Sequence, residues 1–161
     1  MVVLRALALA AGLVAAADAA QAHVVIQPKA VPSGYQVLRF VVGHGCDGQA
    51  TTRVSINIPP IVELARPQPK AGWKLKIERR PDDPKRVNLV SWTGRLPADQ
   101  FDEFLLQVKL PAHSRGTAFP TVQSCGRTHV PWTGADPAHP PPSIIITPAD
   151  AEPGHHHQDK P

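Results

Sequence analysis

Thr52-Arg53-Val54-Ser55-Ile56-Asn57-Ile58 alternates without a break: Thr52, Val54, Ile56 and Ile58 share one parity, and Arg53, Ser55 and Asn57 the other. A period of two with β-branched residues on one side describes a half-buried strand, because successive side chains of an extended chain point to opposite faces. The pattern repeats in both directions. Upstream, Val24 to Ile26 and Tyr35 to Val42 read as strands, the second with Leu38, Phe40 and Val42 on one face, separated by Pro28 and a turn at Pro32, Ser33 and Gly34. Downstream, Trp73, Leu75 and Ile77 alternate with Lys74, Lys76 and Glu78. Arg86 to Trp92 follows, apolar at both parities and so covered on both faces, and then Phe104, Leu106, Val108 and Leu110 alternate with Leu105, Gln107 and Lys109. Ala118 to Ser124, His129 to Trp132 and Ile144 to Ile146 complete the series. Pro59, Pro60, Pro67 and Pro69 keep their connection from being helical. With no helical period sustained anywhere, about eight short strands punctuated by Pro and Gly predict an all-β fold, an antiparallel β-sandwich.

The 161 residues suit one domain of ordinary size. Arg5 precedes an apolar run from Ala6 to Ala17, and Ala20 and Ala22 stand at the −3 and −1 positions of a secretory cleavage site, so residues 1–22 read as a signal peptide. Residues 23–148 are then the sandwich, and 149–161 a tail without apolar pattern, expected to be disordered. No later stretch approaches the ~18 apolar residues of a membrane span, which predicts a periplasmic or secreted protein with no stable membrane anchor. Lys and Arg total 17 against 13 for Asp and Glu, a net charge of +4 that losing Arg5 and Asp18 leaves unchanged. The charges are scattered, apart from Lys74, Lys76, Arg79, Arg80 and Lys85, and aromatics are only 5% of residues, so no nucleic-acid surface is expected.

Cys46 and Cys125 are the only cysteines, and an oxidising compartment favours joining them. Closing so long a loop stabilises by roughly 4 kcal/mol in the chain-entropy account. The alternative, a thiolate pair for Cu(I), has neither a CxxC spacing nor a methionine cluster to support it. Cleavage after Ala22 makes His23 the first residue. Its α-amine and imidazole Nδ1 can then close a chelate ring on one ion, a nitrogen donor set that suits Cu(II) best among divalent first-row metals. Cleavage one or two residues away removes that chelate and leaves His23 an ordinary residue. His155, His156 and His157 in the tail can collect Cu(II), Ni(II) or Zn(II) loosely. Because Gln158 to Pro161 follow them, they read as a native accessory tract rather than a tag remnant.

Several stretches in order resemble a known family: His23 with Pro28, His44-Gly45-Cys46-Asp47-Gly48, Pro67 to Trp73, Val90-Ser91-Trp92-Thr93-Gly94, Phe101-Asp102-Glu103-Phe104, Val122-Gln123-Ser124-Cys125, and Trp132. Together, over about residues 23–133, they are similar to the YcnI-like copper-binding domain, DUF1775. The resemblance implies a cupredoxin-like or immunoglobulin-like sandwich that binds Cu(II) through the mature N-terminal histidine, a mono-histidine brace, with a tryptophan packed at the metal. His23 and Trp132 carry over by position. The glutamate that the better-known branch uses as a further ligand does not, since the corresponding loop here reads His44 to Asp47. The chain resembles a variant with a Cys46–Cys125 pair and without the C-terminal anchor of Gram-positive members.

The second side-chain ligand is therefore open. His44 is the first choice, because imidazole suits Cu(II) and the neighbouring glycines let the loop approach the ion. Asp47 is the second, against a plain role as a turn residue. Trp132 is expected to shield the ion or touch it weakly. Trp73 and Trp92 are assigned to packing, and His113, His129 and His139 to the surface. The function expected is Cu(II) buffering or hand-over to another periplasmic copper carrier, not catalysis; open positions on a one-histidine site permit a bridging homodimer. A copper-dependent oxidative enzyme with His44 completing a histidine brace is the alternative. A hydrolase built on Ser91, His44 and Asp47 lacks a nucleophile elbow. A metal-free interaction domain is the remaining competitor.

Overall fold

The computed structural model describes residues 23–112 and 114–149, so the stretch read as a signal peptide, His113, and His155, His156 and His157 of the tail lie outside the described residues. Twelve strands run in order among them: β1 (Val24–Gln27), β2 (Ala30–Pro32), β3 (Gly34–Val42), β4 (Thr51–Asn57), β5 (Leu64–Pro67) and β6 (Lys74–Arg79). Then come β7 (Val87–Leu96), β8 (Asp102–Leu110), β9 (Gly116–Ala118), β10 (Thr121–Cys125), β11 (Thr128–Trp132) and β12 (Ser143–Thr147). One sheet has the order β1-β3-β8-β5 and the other β11-β10-β4-β7-β6, with a small third sheet β2-β12-β9. The two large sheets are antiparallel throughout, as the alternation predicts; β2 and β12 pair in parallel, which local periodicity has no means of revealing.

Alternation decides what lies between the sheets. Leu38, Phe40 and Val42 of β3 and Phe104, Leu106 and Val108 of β8 are fully buried, as are Val54 and Ile56 of β4 and Val90 and Trp92 of β7. The Trp92 and Trp73 rings pack on Phe104 at 5.4 and 4.9 Å, which bears out their assignment to packing. Two readings need correction. A register irregularity between Thr51 and Arg53 turns Thr51 inward and leaves Thr52 half-buried, so the clean parity stops at Val54. Ala118 to Ser124 is two strands, because Pro120 has no N–H to continue a ladder.

Gly94 sits in β7 where the backbone meets the Trp73 ring: a Cβ there would stand 2.5 Å from indole Cδ2. Gly94→Ala is expected to lower stability by about 1–3 kcal/mol, the usual cost of overpacking, read as a drop in the denaturant midpoint. An unchanged midpoint would mean that the Trp73 ring swings aside freely.

Candidate metal centre

The β1–β3 ladder pairs Val24 with Val42, which puts His23 across from Gly43 at the mouth of the loop carrying His44. From the other sheet, β11 ends on Trp132, whose buried ring lies 5.3 Å from the exposed His23 imidazole. The two large sheets thus meet at this end through one histidine and one tryptophan. Beside His23 runs a cleft of about 270 Å³ walled by Val24 to Ile26, Lys29 and Pro140 to Ser143.

The loop from Gly43 is held from three sides. Cys46 is bonded to Cys125, as the compartment argument expects. The Gly45 N–H donates to the Ala98 carbonyl at 3.0 Å, and the Gln123 amide Nε2 donates to the His44 carbonyl at 2.9 Å and to Thr51 Oγ1 at 2.8 Å. Gly45 packs so closely on the Gln49 carbonyl that a Cβ would collide with it. His44 is half-buried, its Nδ1 2.7 Å from the Gly45 carbonyl. A ring bonded there carries its proton on Nδ1 and leaves Nε2 with a lone pair. Asp47 is exposed at the tip of a two-residue turn closed by paired bonds between Cys46 and Gln49, with φ of 47° ahead of Gly48 at 74°. Left-handed Asp-Gly is the chemistry of such a turn, so the structural reading of Asp47 is sufficient for its presence.

Among the described residues, no three His, Cys, Asp or Glu side chains form a group able to hold a metal. His23, His44 and Asp47 are therefore not a preassembled three-side-chain set. Polar groups of other kinds do converge. Among the described residues, the buried side-chain N and O atoms without a hydrogen-bond partner are three guanidinium Nε atoms, Gln123 Oε1 and Trp132 Nε1. Each of those arginines bonds through another nitrogen. The last two, an acceptor and a donor, belong to neighbouring residues: Trp132 pairs with Thr121 and Gln123 with Val130, so the two residues are diagonal neighbours on the inner face of one hairpin. Leaving such a group unmade costs about 1–3 kcal/mol each. A hydrated cation held by His23 would supply what both lack, positive charge for the amide oxygen and an oxygen to accept from the indole. The residues present therefore fit a metal ion held at this end of the sandwich.

The family model described as Domain of unknown function (DUF1775) matches residues 23–149. The chain belongs to the DUF1775 family. It is similar to the copper-binding protein CutI of Bacillus subtilis (strain 168), 27% identical over 126 residues, which is 78% of this chain and 62% of that protein. The chain thus spans less than two thirds of that relative's length. A crystal structure of an uncharacterized protein from Nocardia farcinica, reported as an immunoglobulin-like fold, shares 26% identity and a TM-score of 0.64 over 79% of this chain and 99% of that one. The sandwich is accordingly immunoglobulin-like.

Within this DUF1775 chain, one histidine assigned to the surface belongs near the site. His139 is half-buried, its ring 4.8 Å from that of Trp132, and its Nδ1 is 2.9 Å from Asp136 Oδ2. The Ala138 backbone N–H, then the His139 ring, hold the Asp136 carboxyl below the ordinary carboxylate range. No local pattern flags His139, because a turn rather than a strand brings it back onto Trp132. Gln123 leaves a faint signal: it shares parity with Cys125, which marks an inward polar residue. His129 is three positions from Trp132 and so faces the other way; it is exposed, with Nδ1 2.9 Å from Ser124 Oγ. His129→Ala is expected to leave Cu(II) affinity unchanged within twofold, the ordinary outcome for a side chain off the site, in the same competition titration on which His139→Ala weakens it.

Proposed function

We propose that the mature protein starts at His23 and carries Cu(II) outside the cytoplasm, chelated by the His23 α-amine and imidazole. The observation that carries this reading is the His23 ring set against the buried Trp132 at 5.3 Å, with an unsatisfied indole N–H beside it. The similarity to a copper-binding protein and the disulfide support it. His44 supplies the further imidazole through Nε2, Trp132 limits access of water and reductants, and His139 packs edge-on against the indole. Copper here is cargo: the site binds it, buffers it and passes it to another carrier. The proposed role is binding and hand-over, and the tryptophans lend no support to a polysaccharide-oxidising enzyme. Trp92 and Trp132 are buried and Trp73 half-buried, so these rings offer no flat face for a polysaccharide.

The test is a Cu(II) competition titration, followed by electron paramagnetic resonance, on a chain starting at His23 with His155, His156 and His157 changed to alanine. One tight equivalent with nitrogen hyperfine structure is expected. Weak binding of several equivalents would leave a disulfide-linked interaction domain as the better reading.

A further inference from the structure

Gln123 is fully buried, yet its two amide atoms are treated very differently. Nε2 makes two good bonds, to the His44 carbonyl and to Thr51 Oγ1, while Oε1 makes none. Turning the amide over does not repair this, since it would set two oxygens, Oε1 and the His44 carbonyl, against each other at 2.9 Å. The orientation is therefore fixed by the loop, and the free oxygen is fixed with it.

The residue that carries this oxygen is placed from two directions. Gln123 bonds the backbone of the residue following Gly43, which lies across the ladder from His23. It is also the diagonal neighbour of Trp132, whose ring contacts His23. A buried amide oxygen without a partner, on a residue whose two neighbours, the His44 loop and Trp132, both adjoin His23, has the character of a ligand. Amide oxygens serve copper as weak axial donors. We infer that Gln123 Oε1 is an oxygen ligand of the copper held by His23, with the Trp132 indole N–H donating to an oxygen bound on the same ion. This rests on the copper-carrier reading above. It also assigns Gln123 a double duty, since the same amide that binds the ion through oxygen fixes the His44 loop through nitrogen. Thr51 serves as the outer support that keeps the amide from rotating.

The experiment uses the chain starting at His23, labelled with 15N at glutamine side-chain amides and loaded with sub-stoichiometric Cu(II). Electron–nuclear double resonance is expected to find a coupled amide 15N, and Gln123→Met to abolish it while weakening Cu(II) by about ten- to a hundred-fold. Gln123→Glu, which replaces the amide by a charged oxygen donor, is expected to tighten binding and shift the copper g values. If the labelled protein binds one tight equivalent but shows no 15N coupling, the inference is overturned: Gln123 then only secures the loop, and a trapped water satisfies both orphan atoms. If no tight equivalent forms at all, the copper-carrier reading fails first, and the titration above will have shown it. The labelled wild-type spectrum decides between these even where a Gln123 variant folds poorly.

Discussion

A chain starting at His23 and acetylated on its α-amine is expected to lose its tight Cu(II) site. Acetylation leaves His23 in its place across from Gly43 and against Trp132. It changes only the nitrogen of His23, from a primary amine with a lone pair to an amide without one. The six-membered chelate ring that the amine and Nδ1 close on one ion is then gone, and the imidazole is left without its partner nitrogen. The loss should exceed the roughly ten- to hundred-fold that removing an outer-shell partner costs, because a primary ligand is removed. A competition titration measures it, and thermal melting of the two apo-proteins should coincide. Because both nitrogens bind in deprotonated form, the intact site also releases protons on loading and weakens toward acid pH, whereas the blocked chain shows a shallower dependence. Equal affinity in the two proteins would remove the amine from the coordination sphere and, with it, the reason for reading residues 1–22 as what exposes the site.

Much of this was legible before any coordinate, and the reason is the two-residue period. Wherever one face is buried and the other wetter, as in Val54 to Ile58 or Phe104 to Leu110, sequence parity and burial agree. Parity fails where the ladder slips, at Thr51, and says nothing of strands too short to show a period, such as Ala30–Pro32 and Leu64–Pro67. The proline-rich connection after Ile58 excludes helix but equally conceals an edge strand, where a missing N–H is tolerated. The site divides in the same way. His23, His44 and the cysteines declare themselves by residue type and compartment. Gln123 and His139 do not, since an amide is not a habitual ligand and a turn residue has no periodic neighbours. Their part follows only from unpaired atoms and ring contacts, which are properties of the packed molecule.

Replacing both Cys46 and Cys125 by alanine is expected to cost about 4 kcal/mol of stability, the chain-entropy value for a loop of this length. For a domain between the small and mid-sized classes, that lowers the melting temperature by about 10–20 °C. Both half-cystines are buried, and Cys125 Sγ accepts from the Cys46 N–H at 3.1 Å, so the native state also gives up one weak bond. Much of the effect, however, belongs to the unfolded chain, which is freed of a constraint across 79 residues. Against a usual total of about 5–15 kcal/mol the variant remains folded but marginal. The copper site should respond less than stability does. Gln123 still holds the His44 carbonyl and Ala98 still holds Gly45, so the loop keeps two of its three anchors. Affinity is expected to fall by no more than about tenfold, the lower end of an outer-shell effect. The two numbers separate two roles for the bond. A large loss of stability with a small loss of affinity makes the disulfide a staple of the fold that passes near the metal. The reverse pattern would make it part of the site, with the loop and not the sandwich as the element it restrains, and would move Gln123 from the main support of that loop to a minor one.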